Sequence, residues 1–154
     1  MKHGCGGLLL LENCINPDAD YPWLKEVRSA KAPLIFLAQR GWGASKFPGC
    51  HGGPGGIQNP GETPAEAAKR EIDEEVGIEF FPDSPAYYEG SWEDRLLSYF
   101  LGKWRAPEKI VLRLSPEGIA ESIGYGWLTF PQALKLDLSF LYREAIEKLA
   151  LGHH

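Results

Sequence analysis

Gly56-Ile57-Gln58-Asn59-Pro60-Gly61-Glu62-Thr63-Pro64-Ala65-Glu66-Ala67-Ala68-Lys69-Arg70-Glu71-Ile72-Asp73-Glu74-Glu75-Val76-Gly77-Ile78 is the stretch on which the reading of this chain turns. It predicts a helix with clear punctuation. Thr63 is a natural N-cap, Pro64 suits the first helical position, and Glu66 closes a capping box. Gly77 stands where a left-handed C-terminal cap belongs, with apolar Ile78 beyond it. Between the caps, Ala65, Ala68, Ile72 and Val76 share one side at helical spacing.

The same helix carries chemistry. Glu71, Glu74 and Glu75 lie at i, i+3 and i+4, so three carboxylates project from one face, roughly opposite the alanine and isoleucine stripe. Like charges this close repel and raise at least one pKa. A hard divalent cation removes that penalty, because Mg²⁺ prefers oxygen ligands and is often held by a few carboxylates plus substrate phosphates. The plain alternative is a solvated acidic face. The neighbours weigh against it. A Gly-rich segment leads into the helix, and Arg70 can grip Glu62 or another carboxylate in a bidentate pair.

Outward from the helix, Gly6–Glu12 and Pro33–Gln39 read as short buried strands, apolar runs bounded by Gly, Pro or Asn. The polar stretch Asn13–Lys31 between them reads as a long loop, either functional or a surface insertion. Gly41–Gly61 is too rich in Gly and Pro for extended regular structure. Beyond the helix, Tyr87–Trp92, Leu96–Trp104, Ile110–Leu114 and Tyr125–Leu128 read as strands. Thr129-Phe130-Pro131-Gln132 is a second capping box, and Leu141, Ala145 and Leu149 mark a closing amphipathic helix. Strands on both sides of a central helix suggest a layered α/β domain.

The 154 residues suit one domain, taken as 1–151, with the terminal Gly152-His153-His154 set aside as a candidate cloning remnant. A net charge of −5 argues against a general nucleic-acid binder, which needs clustered Lys and Arg. It leaves phosphate substrates open, since a cation can supply the missing positive charge. Cys5, Cys14 and Cys50 are odd in number and lack metal-site spacing, which points to a reducing, cytoplasmic setting. The apolar run Leu8–Leu11 is far too short to span a bilayer, and no signal-peptide core follows the N-terminus.

The string 56–78 resembles the Nudix box, G-x5-E-x7-R-E-U-x-E-E-x-G-U with U aliphatic. Every fixed position matches: Gly56, Glu62, Arg70, Glu71, Ile72, Glu74, Glu75, Gly77 and Ile78. Leu37-Ala38-Gln39-Arg40, Pro54-Gly55 and Glu121-x3-Tyr125-x-Trp127 extend the likeness over most of the chain. The resemblance implies an α/β/α sandwich around a mixed β-sheet. It implies hydrolysis of a diphosphate linked to another group, a nucleoside di- or triphosphate derivative, by water attack on phosphorus with Mg²⁺ or Mn²⁺. By the same resemblance, Glu71 and Glu75 are metal ligands, with Glu74 and the Gly55 carbonyl beside them. Arg70 and Glu62 orient rather than react. The general base is left open among Glu71, Glu74 and Glu121, with Glu117 the competitor for the distal role.

Arg40, Gly55 and Gly56 are candidate substrate contacts on the same grounds. Trp42, Phe47, Tyr87, Tyr88 and Trp92 are candidates for stacking on a base, though core or rim roles suit most of them better. His51 and Cys50 read as bystanders. Markers of three branches are missing: Glu93 stands where ADP-ribose hydrolases carry proline, Arg95 where dinucleoside-polyphosphate hydrolases carry tyrosine, and 39–49 does not reproduce the coenzyme A signature. The residual substrate is a small nucleotide, with no stable nucleic-acid partner and no membrane; a homodimer is compatible with the family. Two alternatives stay open: a non-catalytic nucleotide-binding Nudix domain, and an isoprenyl-diphosphate isomerase-like enzyme, to which Phe47-Pro48-Gly49-Cys50-His51 bears a faint likeness.

Overall fold

In a computed structural model, which describes residues 1–112 and 122–152, the punctuated helix spans Pro64–Val76. The Thr63 hydroxyl accepts from the Glu66 amide and the Glu66 carboxylate accepts from the Thr63 amide, completing the capping box. Gly77 closes the helix at φ 71°, a left-handed conformation that costs other residues more than glycine. The buried stripe is Ala67, Ala68, Ile72 and Val76. Ala67 replaces the expected Ala65, which stays half-buried at the helix start.

The strands are β1 (Lys2–Gly7), β2 (Leu34–Arg40), β3 (His51–Gly52), β4 (Gly55–Ile57), β5 (Glu79–Pro82), β6 (Tyr88–Trp92), β7 (Arg95–Phe100), β8 (Gly102–Arg105) and β9 (Ser122–Thr129). The helices are α1 (Pro22–Arg28), α2 (Pro64–Val76), α3 (Phe130–Ala133) and α4 (Tyr142–Gly152). A mixed four-stranded sheet runs β4-β1-β7-β6, with β1 parallel to β7 and antiparallel to β4. An antiparallel sheet runs β3-β2-β9, and β5 pairs with β8.

Leu8–Leu10 carry the chain between the two larger sheets. The Leu8 amide donates to the Phe100 carbonyl at 2.9 Å, and the Leu9 carbonyl accepts from Phe36 at 3.0 Å. Their side chains alternate: Leu9, Phe36 and Ala38 join the core under α2, whereas Leu8, Leu10, Ile35 and Leu37 join the core under α3 and α4. Both faces of the sheet are therefore covered at its central strands, as an α/β/α sandwich requires. Each large apolar side chain so buried stabilises the fold by roughly 1.5–3 kcal/mol. Trp104 ties the layers, its buried indole donating to the Leu10 carbonyl at 2.7 Å.

Several boundaries differ from the sequence reading. The strand expected over Gly6–Glu12 lies earlier, at Lys2–Gly7, and Leu11–Asn13 is a turn of 3-10 helix. The glycines that hide the strand allow close packing: a Cβ on Gly7 would come within 2.6 Å of Ile72 Cδ1 on α2. The loop expected over Asn13–Lys31 contains α1, opened by Pro22 and anchored by fully buried Leu24. Leu96–Trp104 is two strands, because the chain leaves β7 at Leu101 to pair with β5. Ile110–Leu112 form no strand, and 113–114 lie outside the described residues. The strand expected at Tyr125–Leu128 runs longer, from Ser122 to Thr129. Thr129 and Gln132 form the second capping box, and α4 buries Tyr142, Ala145, Ile146 and Leu149.

Candidate active site

The site grows from the pairing of β4 with β1 and the packing of α2 upon it. Gly55 and Gly56 sit opposite Gly6 and Cys5, which brings their backbone beneath the carboxylate face of the helix. A Cβ on Gly56 would fall 2.4 Å from Glu71 Cδ and Oε2. The Gly55 amide donates to Glu75 Oε2 at 3.1 Å. Glu71 and Glu75 thus flank a backbone that only glycine lets so near.

Arg70 organises the rest. Its Nε donates to Glu62 Oε2 at 2.7 Å and its Nη2 to Glu62 Oε1 at 2.9 Å. Nη2 also donates to the Ile57 carbonyl at 3.1 Å, while Nη1 reaches Glu71 Oε1 at 2.8 Å and Glu74 Oε2 at 3.1 Å. The hydrogen bond from Arg70, reinforced by the Asn59 amide, holds the Glu62 carboxyl below its ordinary pKa. The same hydrogen bond to Glu62, followed by Glu71, fixes the guanidinium charge.

The three box carboxylates do not share one environment. Glu74 is half-exposed beside Arg70, Glu71 lies against Gly56, and Glu75 lines a cavity. Among the described residues, no three His, Cys, Asp or Glu side chains are gathered into a group that could by itself hold a metal. The α2 side chains that border the Gly55–Gly56 backbone, Glu71 and Glu75, nonetheless offer hard oxygen donors. That set fits Mg²⁺, which keeps several waters and takes only one or two carboxylates from protein in phosphate-binding sites. Glu121 and Glu117 lie outside the described residues.

The cavity beside Glu75 has a volume of about 230 Å³ and is lined by β1, β2, β4, β7 and the start of α4. Arg40, at the end of β2, faces it. Burial lowers the Arg40 pKa, and the Glu75 charge works in the opposite direction. Its Nε donates to the Lys46 carbonyl at 3.0 Å and its Cζ lies 5.1 Å from the Phe140 ring centre. Tyr142, at the first turn of α4, is buried and stacks on Tyr99 at 4.2 Å. Burial raises both phenol pKa values, so the hydroxyls stay protonated at neutral pH.

The sequence reading did not include Arg95, Tyr99, Phe140 or Tyr142 in the site, yet all four line this cavity. No local pattern marks Tyr99, Phe140 or Tyr142, and Arg95 draws notice only as standing where another branch carries tyrosine; the four meet only through the β1–β7 pairing and the packing of α4. Of the aromatic candidates for base stacking, Phe47 and Trp92 instead pack against Phe140 at 4.7 and 5.5 Å, Tyr88 stacks on Tyr99, and Trp42 is the exposed one. His51 is held in β3, where its amide donates to the Asp137 carbonyl at 2.8 Å.

A mixed sheet sandwiched by helices, with a capped acidic helix closing over paired glycines, defines the class. The NUDIX domain family matches residues 27–149, and the chain belongs to the Nudix family. It is 31% identical over 117 residues to the uncharacterized Nudix hydrolase orf19 of Rhodococcus erythropolis, an alignment covering 70% of this chain and 61% of that relative. Among solved structures, it resembles the MutT protein of Methanosarcina mazei Go1, with a TM-score of 0.68 and 19% identity over 98% of this chain and 94% of that one. It resembles the C. elegans Ap4A hydrolase equally well, with a TM-score of 0.68 and 19% identity over 97% and 96% of the two chains. Among the described residues, no helix is long and apolar enough to cross a membrane.

Proposed function

We propose that this chain is a divalent-metal-dependent pyrophosphohydrolase that cleaves a nucleoside di- or triphosphate derivative. The observation that carries the reading is the shared cavity of Glu75 and Arg40. An oxygen-donor face on α2 and a desolvated guanidinium from β2 meet across one space. The first suits Mg²⁺ or Mn²⁺ and the second suits phosphate. Family membership and the hydrolase name of the Rhodococcus relative support the same reaction class.

In this reading Glu71 and Glu75, with Glu74 and the Gly55 carbonyl beside them, hold the cation. When bound, such an ion neutralises phosphate oxygens and makes a coordinated water more acidic. Arg70 keeps Glu71 in place and Glu62 keeps Arg70 in place. Arg40 takes a substrate phosphate oxygen, and the backbone at Gly55 and Gly56 lets the diphosphate approach. The base that accepts the water proton is drawn from Glu71, Glu74 and Glu121. The remaining driving force is in-line positioning of water and leaving group.

The test is phosphate or pyrophosphate release over a panel of nucleotides with Mg²⁺, compared with Glu75→Gln. Turnover that falls at least a hundredfold in the variant, with an unchanged circular dichroism spectrum, supports the assignment. Unchanged turnover removes Glu75 from it. A panel that binds tightly and is never cleaved by the wild type identifies a binding domain instead.

A further inference from the structure

We propose that the outer edge of β6 is the docking surface for a second copy of this chain. The two β6 strands pair antiparallel about a twofold axis through Gly90 and join the two four-stranded sheets into one. This pairing is independent of the hydrolytic reaction.

β6 ends the order β4-β1-β7-β6, and among the described residues no strand pairs with its outer side. The turn Glu93-Asp94 joins it to β7, with Trp92 opposite Arg95. Residues flanking a two-residue turn exchange hydrogen bonds, and the pattern alternates from there. Trp92 and Gly90 therefore turn their backbone groups to β7, and the N–H and C=O of Glu89 and Ser91 point outward. Both residues are exposed. The other end of the sheet is treated differently. There the Gly55 amide donates to Glu75 at 3.1 Å and the Ile57 carbonyl accepts from Arg70 at 3.1 Å, so α2 side chains occupy the edge of β4. β6 has no such cover, and it contains neither Lys nor Pro, residues that blunt many natural edges. An open row of donors and acceptors is a template for another strand.

The sequence of β6 makes it a good partner for itself in one register. With Glu89 opposite Glu89 of the second copy, like charges meet across the strands. With Ser91 opposite Ser91, Glu89 meets Glu93, which is no better. Directly opposed like charges are destabilising. With Gly90 on the axis, each Glu89 exchanges backbone hydrogen bonds with a Ser91, and no carboxylate faces another. The same register sets Tyr88 opposite Trp92, an aromatic pair on each side of the axis, and Tyr87 opposite Glu93. Lys148 lies over Tyr87, its Nζ 4.2 Å from the ring centre, and donates to the Tyr87 carbonyl. Among the described residues Lys148 is not ion-paired. It therefore comes to face Glu93 of the other copy at each end of the pairing. An unrelated peptide would have to match this succession of charges and rings by chance; a second copy matches it by symmetry.

The experiment is sedimentation velocity from about 10 μM to about 1 mM protein, without metal or nucleotide, with amide hydrogen exchange read at both ends of that range. The average mass should rise with concentration toward that of a dimer, and the amides of Glu89 and Ser91 should exchange more slowly in the concentrated sample. Ser91→Pro removes a donor that β7 does not use, so the monomer should fold and the dimer weaken at least tenfold. Ser91→Lys, opposite Glu89 of the second copy, should tighten the dimer at least threefold, and Ser91→Glu should weaken it by as much. A chain that stays monomeric across the range overturns the proposal. So does a dimer that survives Ser91→Pro, or a pair Ser91→Lys and Ser91→Glu that shifts dissociation in one direction, since either places the contact elsewhere. Protection of the Glu89 and Ser91 amides without a gain in mass overturns it in favour of a different strand on the edge. If Ser91→Pro does not fold, the opposite shifts expected for Ser91→Lys and Ser91→Glu decide.

Discussion

Arg70 grips Glu62 with two parallel hydrogen bonds of 2.7 and 2.9 Å and spends its remaining nitrogen on Glu71 and Glu74. One guanidinium thus binds the loop before α2 to the carboxylate face of α2. The bidentate fork, rather than charge alone, sets this geometry. Arg70→Lys should therefore fold but lower hydrolysis at least tenfold, measured as kcat/KM with saturating Mg²⁺. Near-wild-type kinetics would mean that Glu71 needs no such holder.

The Glu62 carboxyl has a lowered pKa in the folded chain, first through Arg70 and then through the Asn59 amide. The unfolded chain then binds more protons than the native one at acid pH, so stability rises with pH across this window. The contribution is present above the ordinary carboxyl value of 4.5 and is lost as pH falls through the lowered native value. Glu62→Gln should show a shallower fall of the thermal midpoint between about pH 5 and 3 than wild type. Parallel curves would mean that the pair contributes nothing to stability.

The two glycines of β4 should separate stability from activity. In Gly56→Ala the new methyl meets the mobile end of Glu71 at 2.4 Å, so the side chain gives way and the fold survives. We expect a melting point within a few degrees of wild type and at least a tenfold loss of turnover. In Gly55→Ala the methyl meets the Cys5 carbonyl oxygen at 2.5 Å, which is backbone and yields little. That variant should lose about 1–3 kcal/mol in denaturant titration. Equal behaviour of the two would contradict the packing described.

Gly77 caps α2 at φ 71°, and nothing lies within 4 Å of where a Cβ would stand. Gly77→Ala should cost about 1 kcal/mol by backbone strain alone, since nothing clashes. Urea unfolding with an unchanged slope would register that loss; a gain in stability would refute the left-handed cap.

Burial pushes the Cys5 thiol up to about 11 and also raises Cys14. Both are therefore protonated as well as inaccessible at pH 8, whereas Cys50 is half-exposed. Ellman's reagent should modify one thiol per chain rapidly in native protein and all three in urea. Two or more fast thiols without denaturant would place Cys5 or Cys14 nearer the surface.

What the linear chain determined is what hydrogen bonds of short reach determine. Thr63, Glu66 and Gly77 bounded α2 because caps are made within three or four residues. The reach of Arg70 to Glu71 and Glu74 was legible because helical spacing converts directly into distance, whereas the separate surroundings of Glu71, Glu74 and Glu75 were set by what packs on the helix. Strand limits were less legible: in Leu8–Leu10 burial comes from both layers, so an apolar run marks a crossover as readily as a strand. The cavity was legible only in part: Arg40, Gly55, Gly56 and Glu75 stood among the candidates, whereas Arg95, Tyr99, Phe140 and Tyr142 did not. Arg40, Arg95 and Tyr142 come from β2, β7 and α4, and only the parallel pairing of β1 with β7 and the seating of α4 bring them together. Contacts between residues far apart in the chain carry no local periodicity, so which arginines face the cavity was decided by packing in three dimensions.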